Sequence, residues 1–210
     1  MSQAAKPTGV FGRILARGMA RGHKDFYESA AKVLDLRPDD EYLEIGFGSG
    51  FFIKKYASHV SRIAGLDCSE DMVQLASDIN RDLVKTGKAD FRQGDASSLP
   101  WGDNEFTAAA TIESFFFWPE PERALGEIRR VLRPGGRLII EMAHNRDDGK
   151  DHTKEARRMG FKLYSEEEVR NLLIISGFDD ITFTYYKGFW VPIKGHVVPR
   201  GMVVKAIGCE

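Results

Sequence analysis

The apolar positions of this chain change period repeatedly, and the changes mark its elements. Tyr42-Leu43-Glu44-Ile45 is a short strand, after which Gly46, Gly48 and Gly50 interrupt every pattern. Phe51-Phe52-Ile53 then opens a helix predicted to run to His59. Ser61–Asp67 is a second strand ending in an acid. Ser69 is placed to cap the next helix, with Glu70 and Asp71 in its first turn and a stripe of Met72, Val73, Ala76, Ile79 and Leu83. Ala89–Gly94 is a third strand. Glu105–Ile112 is a fourth, apolar enough to be buried on both faces. A helix over Glu120–Leu132 is stopped by Arg133-Pro134-Gly135-Gly136, which turns into a fifth strand, Arg137–Met142.

The remaining elements are less regular. Residues 144–163 are polar, and only His152–Met159 reads as helical. Ser165 with Glu168 forms a capping box, and Gly177 sits where that helix should end. Ile181–Tyr186 and Gly201–Ile207 are two closing strands. Ahead of the first strand, Lys24–Leu34 reads as a helix with Phe26, Ala30, Val33 and Leu34 on one face. Strands alternating with helices predict an α/β fold, a parallel sheet with right-handed crossovers and a ligand beyond the C-terminal strand ends. We divide the chain into a helical extension or lid, residues 1–35, and a main body, residues 36–210, within one structural domain.

Charge changes the picture only at the N-terminus. The net charge is -1, yet residues 1–24 carry five Lys or Arg and no acid, which leaves the rest at -6. No nucleic-acid footprint is expected. Val10, Phe11, Ile14, Leu15 and Met19 form an apolar stripe with Arg13, Arg17 and Arg21 between them. Three readings stay open: a helix packed on the domain, a lid over a ligand, or peripheral membrane attachment through residues 10–24 or an Arg-rich presequence. No run approaches the roughly 20 apolar residues of a membrane span. Two distant cysteines, Cys68 and Cys209, give no disulfide framework and suggest a reducing, cytoplasmic setting. His and Cys nowhere show metal-ligand spacing, so no metal is expected.

The glycine turn is the chemical centre. Glycine permits positive φ and close ligand approach, and the helix behind it offers unpaired N–H groups. Asp67 ends the second strand 21 residues after Gly46, where an acid can accept ribose hydroxyls. Asp95, followed by Ala96, ends the third, where a carboxylate could read an adenine amino group. Gly46-Phe47-Gly48-Ser49-Gly50 after Glu44 departs from the G-x-G-x-x-G of dinucleotide sites.

With GLDCSEDMV at 65–73, GDASSLPW at 94–101, FTAAATIESFFFW at 106–118 and EIRRVLRPGGRLII at 127–140, the chain resembles class I S-adenosylmethionine-dependent methyltransferases of the small-molecule type, over roughly residues 40–207. The resemblance implies a Rossmann-like doubly wound sheet of seven strands, mostly parallel, with the last strand antiparallel beside the sixth. It also implies S-adenosylmethionine as cofactor and S-adenosylhomocysteine as product. By analogy, Glu44 and the Gly46–Gly50 backbone, with Phe47, hold the methionine part and Asp67 the ribose. Cys68 and Met72 flank the adenine, with Asp95, Ala96 and Ile112 completing the site.

Methyl transfer from a sulfonium has a good leaving group, so alignment matters most and a base only where the acceptor loses a proton. No catalytic residue is fixed; Glu113, His23 and Tyr27 are the candidates. Phe115, Phe116, Phe117 and Trp118 follow the fourth strand and suggest a pocket for a small apolar or aromatic acceptor. Two alternatives remain, a noncatalytic adenosyl-binding protein and a nicotinamide-dependent oxidoreductase. Oligomeric state is not readable.

Overall fold

Seven strands of the computed structural model form one sheet, and the central strands are buried almost continuously, as covering on both faces requires. The structure describes residues 5–9, 12–14, 16, 18, 24–187, 190–191, 196–197 and 200–209. The strands are β1 (Glu41–Ile45), β2 (Arg62–Asp67), β3 (Ala89–Gln93), β4 (Phe106–Ile112), β5 (Leu132–Met142), β6 (Phe178–Lys187) and β7 (Arg200–Gly208), in the order β3-β2-β1-β4-β5-β7-β6. β1 to β5 pair in parallel; β7 lies between β5 and β6, antiparallel to both. The expected fold class stands. A two-residue ribbon, Trp190–Val191 with His196–Val197, lies between β6 and β7 in sequence.

Period-two alternation sorts the side chains between two cores. Tyr42, Ile63, Ala108, Ile139 and Val203 pack with Phe52 and Ile53 of α2 (Phe51–Tyr56) and with Ala30 and Leu34 of α1 (Lys24–Leu34). Leu43, Leu66, Ala109, Ile140 and Val204 face the other way. There they meet α5 (Pro121–Val131) through Leu125 and Ile128, and α7 (Glu166–Ile175) through Val169 and Leu173. The order of the sheet reverses between β1 and β4, which puts the crevice for a ligand at their C-terminal ends.

Local signals succeeded unevenly. Both bonds of the Ser165/Glu168 capping box form, and Gly177 takes φ 83 just past α7. Ser69 stands at the N-cap of α3 (Glu70–Ile79), but its hydroxyl makes no cap and donates to the Pro7 carbonyl instead. The helical stripe expected to reach Leu83 breaks at Asn80. That buried amide donates to Gly50 O at 3.1 Å and Ala76 O at 3.0 Å, and a short helix, α4 (Arg81–Lys85), follows. The described residues between Gly9 and Gly18 are helical. Ile14, expected on the apolar face, is 63% exposed, whereas Gly12 and Ala16 are buried. Small residues at i and i+4 let this segment lie close to α3, where Ala16 packs on Met72 and Leu75 and Arg13 pairs with Asp78 at 3.0 Å. Val10, Phe11, Leu15, Arg17, Met19, Arg21 and His23 lie outside the described residues.

Candidate active site

A cavity of about 290 Å³ opens at the β1/β4 crevice, near the lower end of the size range of small-molecule sites. The three glycines of the turn have three different reasons to be glycine. At Gly46, φ 75, a Cβ would strike the Ser114 side chain, which itself hydrogen-bonds Ile45 O at 3.1 Å. At Gly50, φ 71, it would meet the Ala76 Cβ and Asn80 Nδ2, each at 2.8 Å. Gly50 therefore serves the packing of α2 on α3 and is not among the residues lining the cavity. Gly48 alone of the three, φ 53, faces open space. Its surface is the cradle.

The acids at the strand ends sit where the sequence places them, with environments it does not show. Asp67 is 7% exposed; its Oδ2 accepts from Gly48 N–H and its Oδ1 from Ser69 N–H, both at 2.9 Å. Each oxygen keeps a second lone pair toward the cavity. Burial pushes the Asp67 carboxyl up despite these two bonds. Glu44 is 2% exposed and accepts from the Tyr42 hydroxyl at 3.1 Å. Burial, with the charge of Asp67, pushes its pKa up to about 8. Asp95 is held below the usual carboxylate range by the Ser97 hydroxyl and N–H, at 2.7 and 2.8 Å from Oδ1. The loop that follows Asp95 is clamped to α5: Leu99 N–H donates to Glu127, and Arg130 reaches Leu99 O and Trp101 O. Phe47, Cys68, Met72, Ala96 and Ile112 all line the same cavity.

The far side of the cavity is built from distant segments. Tyr27, Glu113, Phe117 and Trp118 line it, with Ala5, Pro7 and Ala16 from the N-terminus. Phe115 and Phe116 do not, which corrects the expected pocket of four aromatics. The short 3₁₀ turn Phe115–Phe117 sends two rings inward, where Phe115 stacks near Tyr164 at 5.0 Å and Phe116 near Phe161 at 5.2 Å. Glu113 has φ 55, an uncommon backbone for a residue with a side chain, and its Oε1 accepts from Ala143 N–H at 2.5 Å. The Tyr27 hydroxyl is pushed far above its ordinary value by burial and by Glu44, Glu141 and Glu113. It stays protonated at neutral pH and is a donor, not a base.

Sequence reading missed Ser49, Ser114, Glu120 and Gly160 in the lining, and Glu141 behind Glu113. Glu141 lies fully buried within an apolar strand, which was the available signal; Tyr186 donates to its Oε1, and burial with the Glu113 charge pushes its carboxyl well up. The expectation that histidines nowhere cluster also fails. Outside the cavity, His144, His152 and Glu155 place ligand atoms within 4.8 Å of one another.

The lining decides which ligand the turn suits. Among the described residues it contains Glu44, Asp67, Asp95, Glu113 and Glu120 and no Lys or Arg. A pyrophosphate would meet carboxylates with no cation in the lining, whereas a sulfonium with an α-ammonium would pair with them. These residues fit S-adenosylmethionine.

Comparison with known proteins agrees. A protein-family model, the methyltransferase domain, matches residues 43–140. An O-methyltransferase of Pyrenophora dematioidea is 36% identical over 104 residues, 49% of this chain and 39% of that protein. A demethylmenaquinone methyltransferase of Paenarthrobacter aurescens is 32% identical over 141 residues, 64% of this chain and 50% of that protein. The chain thus spans half or less of the length of these curated relatives. The phosphoethanolamine N-methyltransferase 2 of Haemonchus contortus, solved with phosphomonomethylethanolamine and S-adenosylhomocysteine, superposes with a TM-score of 0.72 over 89% of this chain and 53% of that one. At 16% identity that likeness speaks for the fold alone. Over residues 43–140 the chain matches the methyltransferase-domain family, on a Rossmann-like fold whose cavity lining suits S-adenosylmethionine.

Proposed function

We propose that this protein transfers the methyl group of S-adenosylmethionine to a small apolar or aromatic acceptor by in-line displacement. The observation that carries the reading is the shared cavity: Phe117 and Trp118 face the same space as the Gly48 cradle, with Glu113 beside them. Bound cofactor supplies an electrophilic methyl on a neutral leaving group. Glu44 and the Gly48 turn hold the methionine end, Asp67 the ribose, and Cys68, Met72, Asp95, Ala96 and Ile112 the adenine. Tyr27 donates a hydrogen bond to the acceptor, and Glu113 takes its proton where the methylated atom is a hydroxyl or an activated carbon. Ala5, Pro7 and Ala16 close the cavity from above, so the N-terminal segment acts as a lid.

The demethylmenaquinone methyltransferase relative supports a ring-bearing acceptor. The acid-rich lining favours a second reading, an amine acceptor whose cation the aromatic wall and Glu120 would attract. One experiment separates them. Release of S-adenosylhomocysteine is followed with the full chain over a panel of phenols, quinols, amines and fatty acids. Turnover concentrated in phenols and quinols is the expected result. Turnover confined to amines overturns it in favour of the second reading. Binding of S-adenosylmethionine without turnover on any acceptor would leave a noncatalytic adenosyl-binding protein.

A further inference from the structure

The segment between β5 and α7 is polar, absent from the cofactor cradle, and yet partly buried. His144 is 3% and His152 6% exposed. Two carboxylates accompany them: the Glu155 side chain is 15% exposed and that of Asp148 is fully buried. His152 stands at the N-cap position of α6 (Thr153–Met159) without a side-chain cap bond, and Glu155 follows three residues on, so the two share a helix face. His144 leaves the end of β5 and meets His152 edge-on, ring centroids 5.1 Å apart.

The distances distinguish a ligand set from a set of hydrogen bonds. His144 Nε2 lies 3.4 Å from Glu155 Oε2, beyond the usual 2.7–3.2 Å of an N–H···O bond. Two ligands of a tetrahedral zinc with bonds of about 2.0–2.1 Å stand about 3.3–3.4 Å apart. His152 Nε2 lies 2.6 Å from Asp148 Oδ2, a true hydrogen-bond distance. That is the arrangement in which an outer carboxylate orients an imidazole that ligates a metal through its other nitrogen. Two carboxylates held out of solvent beside the imidazoles suit a divalent cation.

We infer that His144, His152 and Glu155 bind a divalent transition metal of the zinc class, with Asp148 orienting His152. The ion ties the exit of β5 to α6. Phe161, just past α6, packs on His144 at 5.4 Å and on Phe117 at 6.1 Å, so the ion braces the aromatic wall of the cavity without entering it. This inference stands apart from the identity of the methyl acceptor.

The test uses the full chain, stripped with EDTA and titrated with zinc chloride against a chromophoric chelator, with thermal melts in parallel. One equivalent binds and raises Tm. His152→Ala weakens binding at least ~100-fold, Glu155→Gln at least ~10-fold, and Asp148→Asn about 10-fold, as for an outer-shell partner. X-ray absorption at the zinc edge shows nitrogen and oxygen ligands only. Should His152→Ala fail to fold, Glu155→Gln, nearly isosteric, decides alone. Zinc bound equally by wild type and Glu155→Gln overturns the site, as does sulfur ligation, which would place the ion on Cys68 or Cys209.

Discussion

The two sides of the cavity are built differently. The cofactor side is local: β1, the glycine turn and the ends of β2 and β3 supply it, and its polar contacts run through backbone amides fixed by a single carboxylate, Asp67. The acceptor side is assembled from four separated stretches, around Ala5, Tyr27, Phe117 and Gly160, and its shape depends on side-chain packing. A backbone cradle tolerates change in the surrounding side chains; a wall of rings does not. Such a division suits one fixed cofactor with a variable acceptor.

The largest effect that would sharpen this contrast is at their junction. Glu113 borders both sides, and its positive φ is held by the Ala143 and Glu141 backbone contacts. Glu113→Gln keeps the shape and loses the base. We expect kcat to fall about 100-fold with a hydroxyl acceptor while cofactor affinity changes less than about threefold. An unchanged kcat would remove Glu113 from the chemistry and leave alignment alone to carry the rate.

A crossed pair gives the next largest effect. Asp67→Ala removes the acceptor of two backbone N–H groups and the proposed ribose contact. Calorimetric affinity for S-adenosylmethionine should fall at least ~10-fold with little change in acceptor KM. Trp118→Ala should do the reverse, raising acceptor KM about 10-fold and leaving cofactor affinity as it was. If either variant moved both constants equally, the two sides would be one mechanical unit and the contrast would fail.

What could be read in the chain follows the same line. The strands themselves, the capping box at Ser165 and the acids at Asp67 and Asp95 are local patterns, and each was visible from its own neighbours. Phe115 and Phe116 were not, because four consecutive aromatics carry no sign of which rings turn inward; Tyr164 and Phe161, some 45 residues away, decide it. Gly50 looked like its two companions, and only the approach of Asn80 and Ala76 separates its role from theirs. His144 and His152 lacked any recognised spacing, since their meeting depends on how α6 folds back on β5. Ile14 failed for a simpler reason. An apolar stripe read from large residues misses a buried face made by Gly12 and Ala16.

The smallest effect concerns Glu44, and it tests whether the cofactor side is poised for a cation. Folding raises the Glu44 pKa from 4.5 to about 8, chiefly by burial. The folded chain therefore holds this proton more tightly than the unfolded chain does. The associated stability is fully present below the unfolded value and is lost as pH rises through about 8. Between pH 7 and 8 the loss from this one group is about 1 kcal/mol, or roughly 2–4 °C in Tm for a chain of this size. Asp67 and Glu141 are shifted in the same direction, so part of the slope belongs to them. Glu44→Gln should flatten the fall of Tm over this interval by about that amount. Saturating S-adenosylmethionine should flatten it in the wild type too, because an ammonium beside Glu44 lets it ionise without loss, and binding at pH 7 should release up to about one proton. Equal slopes for wild type and Glu44→Gln would mean that Glu44 is already ionised without ligand. The acceptor side gives the control: Trp118→Ala leaves no titratable group changed and should keep the wild-type slope.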